Sequence, residues 1–558
     1  MRLTSLRAIA VVAAVTLSLS ACAKLPTSSE VKVGSDIQSG LTADYLYYSP
    51  SGPIEGSGQQ EIINGFLNAA TGPQNDYQVA REYLTGSLAP KWNPGNELLI
   101  GDARPEIRMI GTTGAQLIVN AVARIDKMGR YHDLGAGIKR SLDFTFVKED
   151  GQWRISEAPD ATVLVRPVFD VLFKSYALYF YDKQNRYLVP DLRWYASRVS
   201  TSTRLVSNLL DGPDTWLAGA VNSAFPAQTK LAIDSVTVQD GAAIVDLASS
   251  ANKATTLQRQ RMLAQLTATL TQLPNVFSVE IRIDHIAQNI ANLPYAVSLA
   301  NNPDPIVLTT TGFKALSTSA ISMTKATSAA ARWGATDFGI NNQQTLLALK
   351  GKQGIGLFHL TGLDSTITPI DARPGLLAPV IDPQGYVWSL GSGKDSTLQA
   401  FDSAGHQKFV SLGWLNAKTH QAFAISREGG RLAVLLKTES GNHLYVASIQ
   451  RDTSGAPVAI SNPIEIGQTQ SIVRSVSWID DTSVATVALA DGGYTYPLYL
   501  QVGGEVKKYA PVTNAISVVA NSTYSSAYVL DNARKLRVLR SMTWIEYLQE
   551  VLAIHFAG

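Results

Sequence analysis

Residues 426–436 read SREGGRLAVLL: a turn, Arg427-Glu428-Gly429-Gly430, then an unbroken apolar run. Short β-rich runs of this kind recur along the last part of the chain: PIVLTT near 305, TLLALK near 345, GYVWSL near 385, SVATVAL near 483 and SAYVLD near 526. Most follow a turn, as at Asp382-Pro383-Gln384-Gly385 and Ile479-Asp480-Asp481. The gaps are roughly 40 to 50 residues, the period of a propeller blade. Helical periodicity is absent here, so the spacing predicts an all-β propeller over 291–558, with about six blades, or more if one is degenerate. One or two β-sandwiches are the alternative.

The form Ser426-x-x-Gly429-x-x-Leu432-Ala433-Val434 resembles propeller repeats of the general WD type. Upstream the grammar differs. In 166–290, STSTRLVSNLLDGP opens on hydroxyl residues suited to N-capping. Leu205, Val206, Leu209 and Leu210 then line one helical face, and Gly212-Pro213 ends the helix. LAIDSVTVQDGAAIVDLAS reads as a hairpin turning at Asp240-Gly241. An amphipathic helix with Leu263, Leu266, Leu270 and Leu273 in register follows, and then a strand from Val276 to Ile283. The Leu209–Pro213 segment, the Asp240-Gly241 turn, Val245-Asp246-Leu247 and Gln265 to Thr269 together resemble the GerMN domain, a binding module without a known catalytic set.

Residues 44–165 place helices before strands. Ile62, Ile63, Phe66, Leu67 and Ala70 form one helical face, and Ala80, Tyr83 and Leu84 mark a shorter helix. Strands are expected at Leu117–Ile125, Leu142–Val147 and Trp153–Ile155, turning at Lys127-Met128-Gly129 and Asp150-Gly151. This order is that of an α+β layer and is similar to the cone of the nuclear-transport-factor family. The fold class expected for the whole chain is therefore multidomain: two α+β domains followed by an all-β propeller.

The start of the chain concerns location. Arg2 and Arg7 precede an apolar run, Ala8 to Leu19, too short to span the ~30 Å hydrocarbon core. That pattern is a secretory signal peptide over 1–21. Leu19-Ser20-Ala21-Cys22 resembles a bacterial lipobox, which implies a diacylglycerol thioether and an N-acyl (palmitate) group at Cys22. The alternative is an ordinary signal peptide with a chance cysteine. Residues 22–43 form a polar tether. Cys22 is the only cysteine of 558 residues, so no disulfide pairs within the chain. With 45% hydrophobic residues, 16% charged, a net charge of +2 and no basic run, nucleic-acid binding is disfavoured.

Taken together, CAKLPTSS, GPIEGSGQQEIINGFLNAA with DYQVAREYLT, and LLDGP resemble the actinobacterial LpqB lipoproteins over essentially the whole mature chain. The resemblance implies a non-enzymatic protein on the outer face of the cell membrane. It further implies binding to the extracytoplasmic domain of the sensor kinase MtrB, which with the regulator MtrA controls envelope homeostasis and division. The expected interface is modest and polar with aromatic anchors, for which Trp194, Tyr195 and Trp216 are the candidates, with core burial the commoner fate of any one of them. No cofactor is expected beyond the lipid at Cys22.

The second reading is a carbohydrate- or peptidoglycan-binding protein or hydrolase. It needs two carboxylates ~5–10 Å apart in the propeller mouth. Ser322-Met323-Thr324-Lys325 fits S-x-x-K, but without the accompanying S-D-N and K-T-G motifs it reads as a connector. The seven histidines (132, 285, 359, 406, 420, 443 and 555) are scattered and predict no metal site. Gly354-Ile355-Gly356 lacks the rest of a phosphate loop. Tyr45, Tyr47 and Tyr48 read as a half-buried strand or a contact stripe, and Asp211 and Asp246 as turn or cap residues.

Overall fold

The computed structural model describes residues 50–558 apart from 198–199, 300–303, 317–322, 395–396, 417, 469, 491 and 522. The lipobox Leu19-Ser20-Ala21, Cys22, the tyrosines at 45, 47 and 48, and Ser322 lie outside the described residues. From Tyr45 to Gly558 the chain is one compact unit.

Its first part wraps a six-stranded sheet around one helix. The sheet runs in the order Gln152–Glu157, Tyr131–Glu149, Gly114–Asp126, Glu97–Gly101, Thr162–Val165, with Glu106–Ile110 also paired to Gly114–Asp126. Every second residue of Gly114–Asp126 is buried, as expected for a strand with one face on a core. The helix Gln59–Ala69 lays Ile62, Ile63 and Phe66 on that face. The Phe66 ring packs 5.0 Å from Trp92 and 6.0 Å from Phe144, filling the inside of the cone with aromatic side chains. Both expected turns form, with Gly129 at φ 79° and Asp150-Gly151 at 50° and 78°.

The second part begins with the short helix Arg166–Leu172 and a long hairpin, Phe173–Asp182 with Leu188–Ala196. Helix Thr201–Asp211 buries Leu205, Val206 and Leu209. The hydroxyl run ahead of it does not cap it, because Ser200 stands at the N-cap without a side-chain bond. Asp240 (φ 48°) and Gly241 (φ 78°) turn the hairpin Thr237–Gln239 and Ala242–Leu247. Helix Thr256–Leu270, held by a Thr255–Gln258 capping box, carries the chain back so that Ser278–Ile283 pairs parallel to Ala242–Leu247.

The third part is a propeller of six sheets. Blades one to five occupy 337–371, 380–408, 419–466, 472–508 and 515–548 in chain order. Blade six joins the two ends: Val551–His555 pairs with Ile306–Thr309, which pairs with Gly312–Ala315. That pairing of the two chain ends closes the ring, in which only short, protected strand edges border the channel. Among the described residues blade six has three strands, and helix Met323–Trp333 lies against its outer one. The helix corrects the expectation of a connector there. Ala326, Ala329, Ala330 and Trp333 recur at helical spacing and are buried, and alanine is the best helix former.

Candidate functional site: junction and channel

The three parts meet around strand Leu188–Ala196, all nine of whose residues are buried. Its charges are satisfied locally. Asp191 pairs with Arg193 at 2.7 Å and accepts the backbone N–H of Asp214, also at 2.7 Å. Asp214 in turn caps the helix Thr215–Ala218 and lies 3.4 Å from Arg130 of the first part. Burial pushes the Asp191 carboxyl up to about 6, with the Arg193 guanidinium opposing the rise. On the propeller side, buried Arg431 pairs with Glu428 at 2.7 Å and donates to the Asp481 carbonyl at 2.6 Å, its guanidinium 4.5 Å from the Trp478 ring. These groups surround a cavity of about 240 Å³ lined by Arg130, Asp191, Arg193, Trp216, Arg431 and Gln468, residues of all three parts.

The aromatic residues expected as partner contacts are interior, which corrects that expectation. Trp194, Tyr195 and Trp216 are 4%, 0% and 8% exposed. Trp194 rivets all three parts. Its backbone N–H donates to Gly129 O at 2.7 Å, its Nε1–H donates to Gly503 O at 2.9 Å, and its ring packs 5.0 Å from Phe169 and 5.9 Å from Tyr131. Gly129 is needed there: besides its positive φ, a Cβ would come 3.1 Å from Trp194 O and 3.2 Å from the Tyr195 ring. The Tyr195 Oη accepts from Asn208 at 2.6 Å, and burial raises its hydroxyl to about 12. Ser448 Oγ donates to Trp216 O at 2.8 Å. Beneath these bonds one apolar core crosses the boundary, joining Phe180, Leu205 and Leu266 of the second part to Leu435, Val446 and Leu500 of the propeller.

The propeller channel, about 340 Å³, is lined by the inner strands of the blades. Among its lining residues only Asp337 bears a side-chain carboxylate, and that group faces His555 Nε2 at 2.8 Å. The paired carboxylates that glycoside hydrolysis needs do not converge there among the described residues. Elsewhere His132, His285, His406 and His443 each sit beside one carboxylate, of Asp126, Asp246, Asp402 and Glu465 respectively. No three metal-binding side chains gather among the described residues. Asp246 also accepts the backbone N–H of His285, a turn role. Lys325 of the S-x-x-K tetrapeptide donates to Gly362 O at 2.5 Å. What the sequence reading missed is the buried ion pairs of the junction: alternation of Asp191 and Arg193 in a strand looks like a solvated face.

Three family descriptions match in succession: "Lipoprotein LpqB, N-terminal domain" over 52–170, "Sporulation and spore germination" over 177–286, and "Lipoprotein LpqB beta-propeller domain" over 322–552. The chain is similar to Lipoprotein LpqB of Bifidobacterium longum, 26% identical over 453 residues that span 78% of this chain and 77% of that one. It is 22% identical to Lipoprotein LpqB of Cutibacterium acnes over 587 residues, 98% of each. Among solved structures, the first GerMN domain of the sporulation protein GerM from Bacillus subtilis aligns at 24% identity over 23% of this chain and 97% of that domain, with a TM-score of 0.19.

Proposed function

The chain belongs to the LpqB lipoprotein family, and from that premise we propose that it is a lipid-anchored protein of the extracytoplasmic face of the cell membrane that binds and modulates the sensor kinase MtrB. Its anchor is the lipid on Cys22; no described helix is long and apolar enough to cross a membrane. Its role is to hold a surface near the kinase's outer domain, and it performs no catalysis.

The observation that supports this reading best is the continuous core from the second part into the propeller. A body without a slack joint presents a fixed surface, and fixing it to the same membrane as its partner raises the effective concentration of one for the other. A modest interface then suffices. Because Trp194, Tyr195 and Trp216 are interior, the anchors must come from exposed side chains such as Phe277, 74% exposed beside the Asp240-Gly241 turn. The hydrolase reading is disfavoured because Asp337 bears the single side-chain carboxylate among the described residues of the channel lining.

The test is calorimetric titration of the whole soluble body, residues 45–558, with the isolated outer domain of the kinase. Saturable binding weakened by Phe277→Ser at unchanged melting temperature is expected. No heat and no chemical-shift change at about millimolar concentration, with both proteins folded, overturns direct binding.

A further inference from the structure

The inner strands of three adjacent blades are irregular where they face the channel. In blade three the register slips between His420 and Ala422, leaving Gln421 unpaired in the ladder. In blade four, strand Ile472–Trp478 slips twice, between Ile472 and Arg474 and again between Arg474 and Val476. In blade five it slips between Ala515 and Ser517. Bulges of this kind bend a strand and re-aim a side chain.

The blade-four bulge is also strained. Ser475 has φ 66°, and no other residue within the six inner strands has positive φ. Such a backbone costs on the order of 1–3 kcal/mol and persists only where its surroundings hold it. Here Thr486 Oγ1 donates to Ser475 O at 2.7 Å and to Arg474 O at 3.2 Å, while Val518 N–H donates to Ser475 Oγ at 3.3 Å. The result is that Arg474 lines the channel, exposed, its guanidinium without a hydrogen bond or ion pair to another described residue. Gln421, on the neighbouring inner strand, lines the same channel and its amide is likewise without a described partner. In a ring of six, blade one stands opposite blade four, so the wall facing Arg474 carries Asp337 with His555 beside it.

We propose that the propeller channel is a binding site for a small carboxylate-bearing ligand, with Arg474 as the bidentate anchor and the Gln421 amide as a second donor. One guanidinium fork matches one carboxylate in geometry and charge. The far wall carries Lys350 as well as Asp337, so phosphate is the anion against which the planar carboxylate is compared. The channel volume suits a dicarboxylic acid or the carboxyl end of a short peptide. This site is independent of the kinase contact proposed above, because it lies inside the ring.

The experiment is titration of the soluble body with four probes at constant ionic strength: sodium succinate, the dipeptide Ala-Ala, its C-terminal amide, and inorganic phosphate. Saturable binding of succinate or Ala-Ala is expected, and which of them binds identifies the source of the carboxylate. The amide should bind at least about tenfold more weakly than the free dipeptide. Arg474→Gln should lose at least about tenfold in affinity, Arg474→Lys less, and Gln421→Ala several-fold, all at unchanged melting temperature. The proposal is overturned if neither carboxylate binds at about 20 mM, if Arg474→Gln binds as well as the parent, or if phosphate binds more tightly than both.

Discussion

Replacing Trp194 separates a rivet from a contact surface. The residue is 4% exposed and joins the first part through Gly129 O, the propeller through Gly503 O, and the linking helix through the Phe169 ring. Truncation to alanine removes a buried indole from a junction whose walls are a strand, a helix and two turns from three parts of the chain, so little collapse can offset the cavity. Large-to-small changes of this kind cost about 3–5 kcal/mol. Trp194→Phe keeps most of the apolar contact but strips the hydrogen bond and leaves the Gly503 carbonyl without its donor, about 1–2 kcal/mol. Thermal unfolding of the 45–558 body reads both. For a body of this size roughly 4 kcal/mol lowers the transition by several degrees, and the phenylalanine variant falls between. Limited proteolysis adds the location: cleavage should accelerate in the segments that join the three parts. A Trp194→Ala protein that melts with the parent and resists protease equally would refute the rivet, and loss of kinase binding with stability intact would restore the residue to the surface.

The remaining predictions test the anchor, the unity of the body and its acid limit. Cys22→Ala should release the protein into the medium or leave an unprocessed precursor; unchanged detergent partitioning counts against the proposed lipid, since two or more acyl chains at ~0.8 kcal/mol per buried methylene would be enough for stable anchoring. A fragment ending at residue 290 should aggregate or bind a hydrophobic dye, because the cut uncovers the core shared with Leu435, Val446 and Leu500; a monomeric, cooperatively melting fragment argues against a continuous core. Burial opposes the charge of Asp371, but hydrogen bonds from Arg373 and Ser389 outweigh it and hold the carboxyl below its ordinary value, so its stabilisation is complete above the unfolded carboxylate pKa of ~3.9 and is lost as pH falls through the lower folded value. Asp371→Asn should therefore lower the melting temperature at neutral pH and flatten its decline below about pH 4, and an identical acid limb in parent and variant excludes the pair as its cause.

How far the sequence was readable follows from which faces each strand buries. The six apolar runs that set the propeller period are the second strands of the six blades: Ile306–Thr309, Leu346–Gly351, Val387–Ser389, Arg431–Thr438, Ser483–Leu489 and Thr523–Asp531. A second strand has a neighbour on either side and a blade against both faces, so it reads as an unbroken hydrophobic run. The first strands are short edge strands that line the channel, three of them interrupted by bulges, and the outer ones, such as Thr543–Leu548, are largely exposed; neither leaves a periodic trace. The junction was misread for a related reason. Leu188–Ala196 alternates apolar residues with Asp191 and Arg193, a pattern that in isolation is also that of a strand with one wet face, so the sequence does not separate buried aromatics from partner anchors there. The charges instead satisfy each other, and the side they occupy is covered by parts of the chain hundreds of residues away: Gly503 O lies 309 positions from Trp194. Arg474 was invisible for the opposite reason. Nothing in IVRSVSW marks Ser475 for a left-handed backbone, because that conformation is held by Thr486 and Val518 on neighbouring strands, contacts made only where the strands of blades four and five pack together. Both features are therefore products of long-range assembly, and the contrast between them is chemical. The junction consumes its charges in mutual pairs. The channel leaves the Arg474 guanidinium without a partner among the described residues, beside a strained bulge that Thr486 and Val518 hold in place, and strained positions cluster at ligand sites.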